Sequence, residues 1–285
     1  MFKIYDLNYQ EVSFPVDKIG YGLKALDLNL GPVIYNSIYS EGDGASGAPV
    51  KRYPADREAS IRILFTAADT IDWRLKRSEV YAFFRRLGVF YIAESHEPFK
   101  LLKVIVDEGY SVERPVIIWG QSEIPLKVLK PVFRQSLHTT LDIDQEGIQF
   151  NNKWAYGMGT WFPENYDQYS FVSTAESIKQ PRFHNAGTEE VKFIQQKESV
   201  IEIKLNQSAN WFEIVDDAGN VFRIDRTMYS GDTLRISGSE VTLNGESVIG
   251  DTNYTFLSAK TSWNYWELRN ITRFEFNIDF RFLYD

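Results

Sequence analysis

Arg273-Phe-Glu-Phe-Asn-Ile-Asp-Phe-Arg-Phe-Leu283 alternates apolar and polar residues along its length. A strand sends successive side chains to opposite faces, so this run predicts one half-buried antiparallel strand. The runs upstream carry the same signal. Val200-Ile-Glu-Ile-Lys-Leu205, Trp211-Phe-Glu-Ile-Val215, Val221-Phe-Arg-Ile224 and Thr233-Leu-Arg-Ile236 are short and rich in β-branched residues. Asp217-Ala-Gly-Asn220 and Asn244-Gly245 read as hairpin turns, because Gly and Asn tolerate positive φ. Past residue 190 the strands recur at roughly the 8–12-residue spacing of β-sandwiches.

The N-terminal half predicts more strands and one helix. Ser60-Ile-Arg-Ile-Leu-Phe65, Lys100-Leu-Leu-Lys-Val-Ile-Val106 and Pro115-Val-Ile-Ile-Trp119 read as strands. Val80, Phe83, Phe84 and Leu87 recur at i, i+3, i+4 and i+7 and predict a helix packing its Phe face on a sheet. Asp69 and Ser78 are the residues able to cap its start; Arg85, Arg86 and Gly88 suit its end. Tyr39-Ser-Glu-Gly-Asp-Gly-Ala-Ser-Gly-Ala-Pro49 reads as a flexible loop or arm tip, and residues 177–190 as a connector. Pro125 and Pro131 place a domain boundary near residues 133–140, which gives domains 1–136 and 137–285.

Composition narrows the functions. A 44% hydrophobic content supports a real core, and 15% aromatic content favours strands and protein or sugar contacts. The net charge of -8 argues against nucleic-acid and anionic-membrane partners. Lys76, Arg77, Arg85 and Arg86 read as a solvated helix face. With no cysteine there is no disulfide, thiolate metal site or thiol nucleophile. No run approaches the ~20 apolar residues that span a bilayer, and no signal peptide opens the chain, so synthesis in the cytoplasm is expected.

Few residues suggest chemistry. Asp142-Ile-Asp144-Gln-Glu146-Gly147 resembles the opening of a calcium loop, but Lys153 stands where a bidentate Glu is needed. It reads instead as a strand ending in a Gly turn. His96, His138 and His184 form no metal-binding pair, and no Gly-x-Ser-x-Gly elbow exists. No catalytic, metal or cofactor residue is nominated. Trp263, Tyr265 and Trp266 form the densest aromatic cluster. They are the candidate carbohydrate or partner contact, set against a reading as core packing. Gly42, Gly44 and Gly47 lack a following Lys-Ser/Thr and read as a flexible loop rather than a phosphate loop, and as a candidate inter-subunit arm only if the chain forms the ring that the resemblance given below implies.

Arg57-Glu-Ala-Ser-Ile-Arg-Ile-Leu-Phe65, Asp69-Thr-Ile-Asp-Trp-Arg-Leu-Lys-Arg-Ser-Glu-Val-Tyr-Ala-Phe-Phe84, Phe90-Tyr-Ile-Ala-Glu-Ser95 with Pro98, His184-Asn-Ala-Gly-Thr188 and Asp279-Phe-Arg-Phe-Leu-Tyr284 follow one another in a characteristic order. Together they resemble the distal tail proteins of long-tailed phages, across nearly the whole chain. Ala186 stands where that family commonly has Pro, a departure not expected to alter the fold. The resemblance implies a mainly β protein, with an N-terminal tail-tube-like β domain carrying one packed helix and a C-terminal galectin-like β-sandwich. It further implies a hexameric ring at the virion tail tip, without enzyme activity or cofactor. The implied partners are the major tail tube protein, a tail-associated lysin or hub protein and a receptor-binding protein, with DNA passing through a negative lumen. A lectin-like adhesion module is the alternative, and a glycoside hydrolase a third reading.

Overall fold

The computed structural model describes residues 1–15, 22–39, 49–148, 161–162 and 168–285. The chain is mainly β and forms two compact units, Met1–Arg134 with Asp285, and Gln135–Tyr284.

The first unit contains β1 (Phe2–Tyr5), β2 (Glu11–Val12), β3 (Leu23–Tyr39), β4 (Pro49–Thr66), α1 (Thr70–Leu87), β5 (Val89–Glu94), β6 (Lys100–Ile105), β7 (Glu113–Val116) and β8 (Trp119–Val128). Its strands run in the order β2-β1-β5-β6-β8-β4-β3, with β7 on β8. β3 and β4 are 17 and 18 residues long and pair from Leu23↔Phe65 out to Tyr39↔Pro49. β8 flanks β4 only between Thr66 and Glu58. Beyond Glu58, among the described residues, the two strands ladder only with each other, so the distal half of the hairpin is a two-stranded arm.

α1 forms where the apolar spacing predicts. Of the two capping residues expected, Asp69 takes the role: its carboxylate accepts the Ile71 and Asp72 amides at 2.8 Å. The Ser78 hydroxyl instead donates to the Arg74 carbonyl within the helix. Gly88, at φ 61°, ends it. Trp73, Val80, Phe83 and Phe84 are buried, as the Phe-face expectation requires. The Trp73 indole N–H donates to the Trp119 carbonyl at 2.9 Å. Gly120 makes room for the Phe65 ring, since a Cβ there would lie 2.1 Å from it.

Residues 115–119 are not one strand. Ile117 and Ile118 form the turn of the β7–β8 hairpin, and all five side chains from Pro115 to Trp119 are exposed. β-branched content marked the segment as extended, but it carries no sign of a two-residue reversal.

β9 (Arg134–Ser136) spans the change of unit. The second unit then contains α2 (Thr140–Glu146), β10 (Ser170–Ser173), β11 (Arg182–Asn185), β12 (Val191–Lys192), β13 (Val200–Leu205), β14 (Phe212–Val215), β15 (Val221–Ile224), β16 (Thr233–Ser237), β17 (Glu240–Leu243), β18 (Glu246–Ser247), β19 (Ser258–Ala259), β20 (Ser262–Tyr265), β21 (Glu267–Arg269), β22 (Phe274–Asp279) and β23 (Leu283–Tyr284). A six-stranded sheet, β10-β22-β13-β16-β17-β18, packs its apolar face against the three-stranded β15-β14-β21 and the β11-β20 and β12-β19 pairs. Trp266 lies in that core, with Phe183, Phe193 and Phe276 edge-on to it at 5.2–6.1 Å. Asn244 and Gly245 both take positive φ at the predicted hairpin turn, and Gly219 does so between β14 and β15.

Three expectations are corrected here. The alternating run from Arg273 is two strands, because β22 stops at Asp279. The amides of Phe280, Arg281 and Phe282 then bond to side-chain oxygens of Thr140, Gln196 and Ser136 at 3.0–3.1 Å. Residues 142–147 are helix, not strand: the Thr139 amide donates to the Asp142 carboxylate at 2.9 Å, half of a capping box that outweighs the β-branched Ile143. Residues 177–190 hold a strand, β11, and not only a connector.

His184-Asn-Ala-Gly-Thr188 has a mechanical role. The Asn185 side chain accepts the Gly187 amide at 2.9 Å and donates to the Glu189 and Ala259 carbonyls at 3.1 Å. β23 lies directly on this turn, and a Cβ on Gly187 would sit 2.5 Å from the Leu283 carbonyl oxygen. Ala186 is buried without disturbing it. Gly187→Ala is therefore expected to lower stability by about 1–3 kcal/mol, because backbone must move to admit the methyl. Asp69→Ala should cost about 0.5–2 kcal/mol through the lost cap. Denaturant unfolding of both variants checks the pair.

Candidate assembly and binding surfaces

Period-two alternation divides the aromatic cluster that the sequence nominates. β20 pairs with β11 so that Trp263 faces His184 and Tyr265 faces Arg182. These four share one face of the ribbon, while Phe183 and Asn264 share the other. Tyr265 is exposed and Trp263 partly so. Trp266 follows the strand and points into the core, only 1% exposed, so it offers nothing to a ligand.

Buried polar contacts hold this face. Asn264 accepts the Lys260 amide at 2.9 Å and donates to the Lys260 and Ser262 carbonyls at 2.9 and 3.1 Å. The Asp217 carboxylate accepts the Tyr265 amide at 2.6 Å. The Arg182 guanidinium lies 4.4 Å from the Trp263 ring centroid and 5.1 Å from that of Tyr265, close enough for cation–π attraction to both. The result is an aromatic pair, Trp263 and Tyr265, with one guanidinium over both rings. Arg182, His184 and Asn264 were not nominated from sequence; pairing two distant segments is what unites them.

His184 is buried beside Trp263, ring centroids 5.2 Å apart. Burial pushes its imidazole down to about 4. The ring is therefore neutral near pH 7, braced by packing rather than poised for proton transfer.

The second nomination, Gly42, Gly44 and Gly47, lies outside the described residues. The strands leading to it are described, and they expose Ile34, Ile38, Tyr39 and Tyr53 on the arm. The acidic residues at 142–146 do not converge as a cation loop would require. Asp142 accepts the Thr139 amide, and Asp144 accepts the Tyr169 amide at 2.7 Å. Among the described residues no three His, Asp or Glu side chains are grouped to hold a metal. No helix there is long and apolar enough to cross a membrane.

The chain has the fold of the Dit protein (gp 19.1) of SPP1, whose structure is described as a paradigm of the hub adsorption apparatus in phages infecting Gram-positive bacteria. The match covers 99% of this chain and 100% of that one, with a TM-score of 0.65 and 9% identity. Chains of the phage p2 baseplate in its activated conformation, with strontium or calcium, align over 98% of this chain and 97% of theirs. Their identity is 11% and their TM-score 0.41, too low to equate the folds. No family model matches the sequence, and no curated protein matches it either.

The His184 environment gives a pH signature. Its folded value lies below the ordinary 6.5, so unfolding takes up a proton between about 6.5 and 4. The stabilising contribution is present in full above pH 6.5 and is lost as pH falls through about 4. Unfolding midpoints from pH 7.5 to 4 are expected to fall less steeply for His184→Gln than for the native chain; parallel curves would show that His184 does not titrate as its burial requires.

Proposed function

We propose that this chain is a structural hub of a phage tail tip, of the distal tail type. The observation that carries the reading is the fold shared with SPP1 Dit over both full chains. In this reading it forms a hexameric ring through its first unit. The ring joins the major tail tube protein to a tail-associated lysin or hub protein, and receptor-binding proteins attach at the periphery. The expected activity is mechanical, with no reaction and no cofactor.

Two features of the chain support it. An arm that exposes apolar side chains along a two-stranded ribbon is marginal in water and gains by lying on another surface. The charge is also divided: residues 1–134 with Asp285 carry eighteen acidic and eighteen basic residues, and residues 135–284 carry twenty-one and thirteen. The whole excess of -8 thus lies in the second unit, which would repel copies of itself while the neutral first units meet. A negative lumen would therefore depend on how the first unit's charges are arranged, not on a net excess.

A second reading rests on the Trp263–Tyr265 face with Arg182 over both rings, which suits sugar stacking as well as a protein contact. If it operates, Trp263→Ala lowers binding of the full chain to host cell-wall polysaccharide about tenfold, as loss of roughly 1.4 kcal/mol would. Equal binding by both proteins would remove it. For the hub reading, gold-labelled antibodies against the chain are expected to mark virions at the tail tip. Label on the head, along the tube, or nowhere on the particle would refute it.

A further inference from the structure

Asn244-Gly245 is the only Asn-Gly step in the chain. It is also the two-residue turn between β17 and β18, closed where Leu243 pairs with Glu246. An Asn-Gly step carries its own chemistry. The Gly amide nitrogen can attack the side-chain carbonyl carbon of Asn, because Gly has no Cβ to hinder the approach. A new C–N bond forms and closes a five-membered imide. The amide proton passes to the side-chain nitrogen, which leaves as ammonia. Water then opens the imide at either carbonyl, giving Asp or isoaspartate. Nothing but water is consumed.

Solvent reaches this turn, since Asn244 and Gly245 are both exposed. A Cβ on Gly245 would meet nothing within 4 Å, so crowding does not protect it. Hydrogen bonds do. The Asn244 side-chain oxygen accepts the Thr233 amide at 2.9 Å, and its Nδ2 donates to the Asp232 carboxylate at 2.8 Å. The Asn244 backbone amide donates to the Thr233 carbonyl at 2.9 Å. Asp232 is itself fixed, because its other carboxylate oxygen accepts the Tyr229 amide at 2.7 Å. The Tyr229 amide, and after it the Asn244 side chain, hold the Asp232 carboxyl below the ordinary carboxylate range. It is thus an ionised acceptor at neutral pH. Both ends of the Asn244 carboxamide are bound to the start of β16, not left free over Gly245.

We propose that Asn244 is a latent modification site, kept unreacted by its bonds to Asp232 and Thr233 and converted to Asp or isoaspartate when they open. The same bonds decide what conversion does. A carboxylate at 244 has no hydrogen to give Asp232, and two like charges would stand in contact. Isoaspartate also adds a methylene to the backbone of a two-residue turn, which the β17–β18 pairing cannot take up. The corner between Leu243 and Val248, both buried, would come loose from β16. Conversion further adds a negative charge to the unit that already holds the acidic excess. The inference does not depend on the hub reading.

Peptide mapping by mass spectrometry reads the exchange of the side-chain amide for an acid. The native chain, incubated at neutral pH, is compared with a synthetic peptide of residues 240–249. The native chain is expected to convert about tenfold more slowly, since attack must wait for bonds of ordinary strength to open. Asp232→Ala should recover most of that difference. Gly187→Ala, which loosens the same unit elsewhere, should keep the native rate. Asn244→Asp makes one product directly. It should speed hydrogen exchange at the Val248 amide, which donates to the Val241 carbonyl at 2.9 Å in the native turn. A native chain that converts as fast as the peptide would overturn the inference. So would equal rates in Asp232→Ala and Gly187→Ala, or unchanged exchange in Asn244→Asp.

Discussion

β4 is longer than the sheet that holds it. Between Glu58 and Thr66 it lies between β3 and β8 and gains ladder bonds on both sides. From Pro49 to Arg57, among the described residues, it ladders with β3 alone. Backbone groups on that stretch can turn to water, but Ile34, Ile38, Tyr39 and Tyr53 gain nothing from it. The same strand ends, past Thr66, on the braced apolar turn at Ile117-Ile118. β4 thus carries exposed apolar side chains, its own or its neighbours', near each of its ends.

Much of this fold is legible in the residues. The helix is written in Val80, Phe83 and Phe84, in the Asp69 cap and in the Gly88 stop, because its signals are local and mutually consistent. The hairpin turns at Asn244-Gly245 and Gly219 follow from tolerance of positive φ. What escapes is what depends on distant partners. The run from Arg273 alternates throughout, yet its ladder stops at Asp279, where hydroxyl and amide side chains from Ser136, Thr140 and Gln196 take over the amides. Nothing within residues 273–283 announces those partners. Residues 142–147 escape for another reason: a capping box is a weak local signal, easily masked by aspartates that suggest a cation loop.

The candidate surfaces are half legible. The cluster at 263–266 stands out by composition, and strict alternation along a strand is enough to part Trp263 and Tyr265 from Trp266. The residues themselves do not place Arg182 beside them, since the β11–β20 pairing is set by tertiary context. The patch around Ile117 is hidden for the opposite reason. Pro115-Val-Ile-Ile-Trp119 has the composition of a buried strand, and only the fold shows that its residues form an exposed turn. Ile117 and Ile118 stand where turn chemistry favours Asn or Gly, so composition alone does not mark the reversal.

In the proposed hub, the neutral first units join and the acidic second units stay apart. The most direct measurement is the solution mass of the native chain by light scattering over a wide concentration range. A particle near six times 33.0 kDa that dissociates on dilution is the predicted result. A mass of 33.0 kDa at every concentration would contradict self-assembly through the first unit.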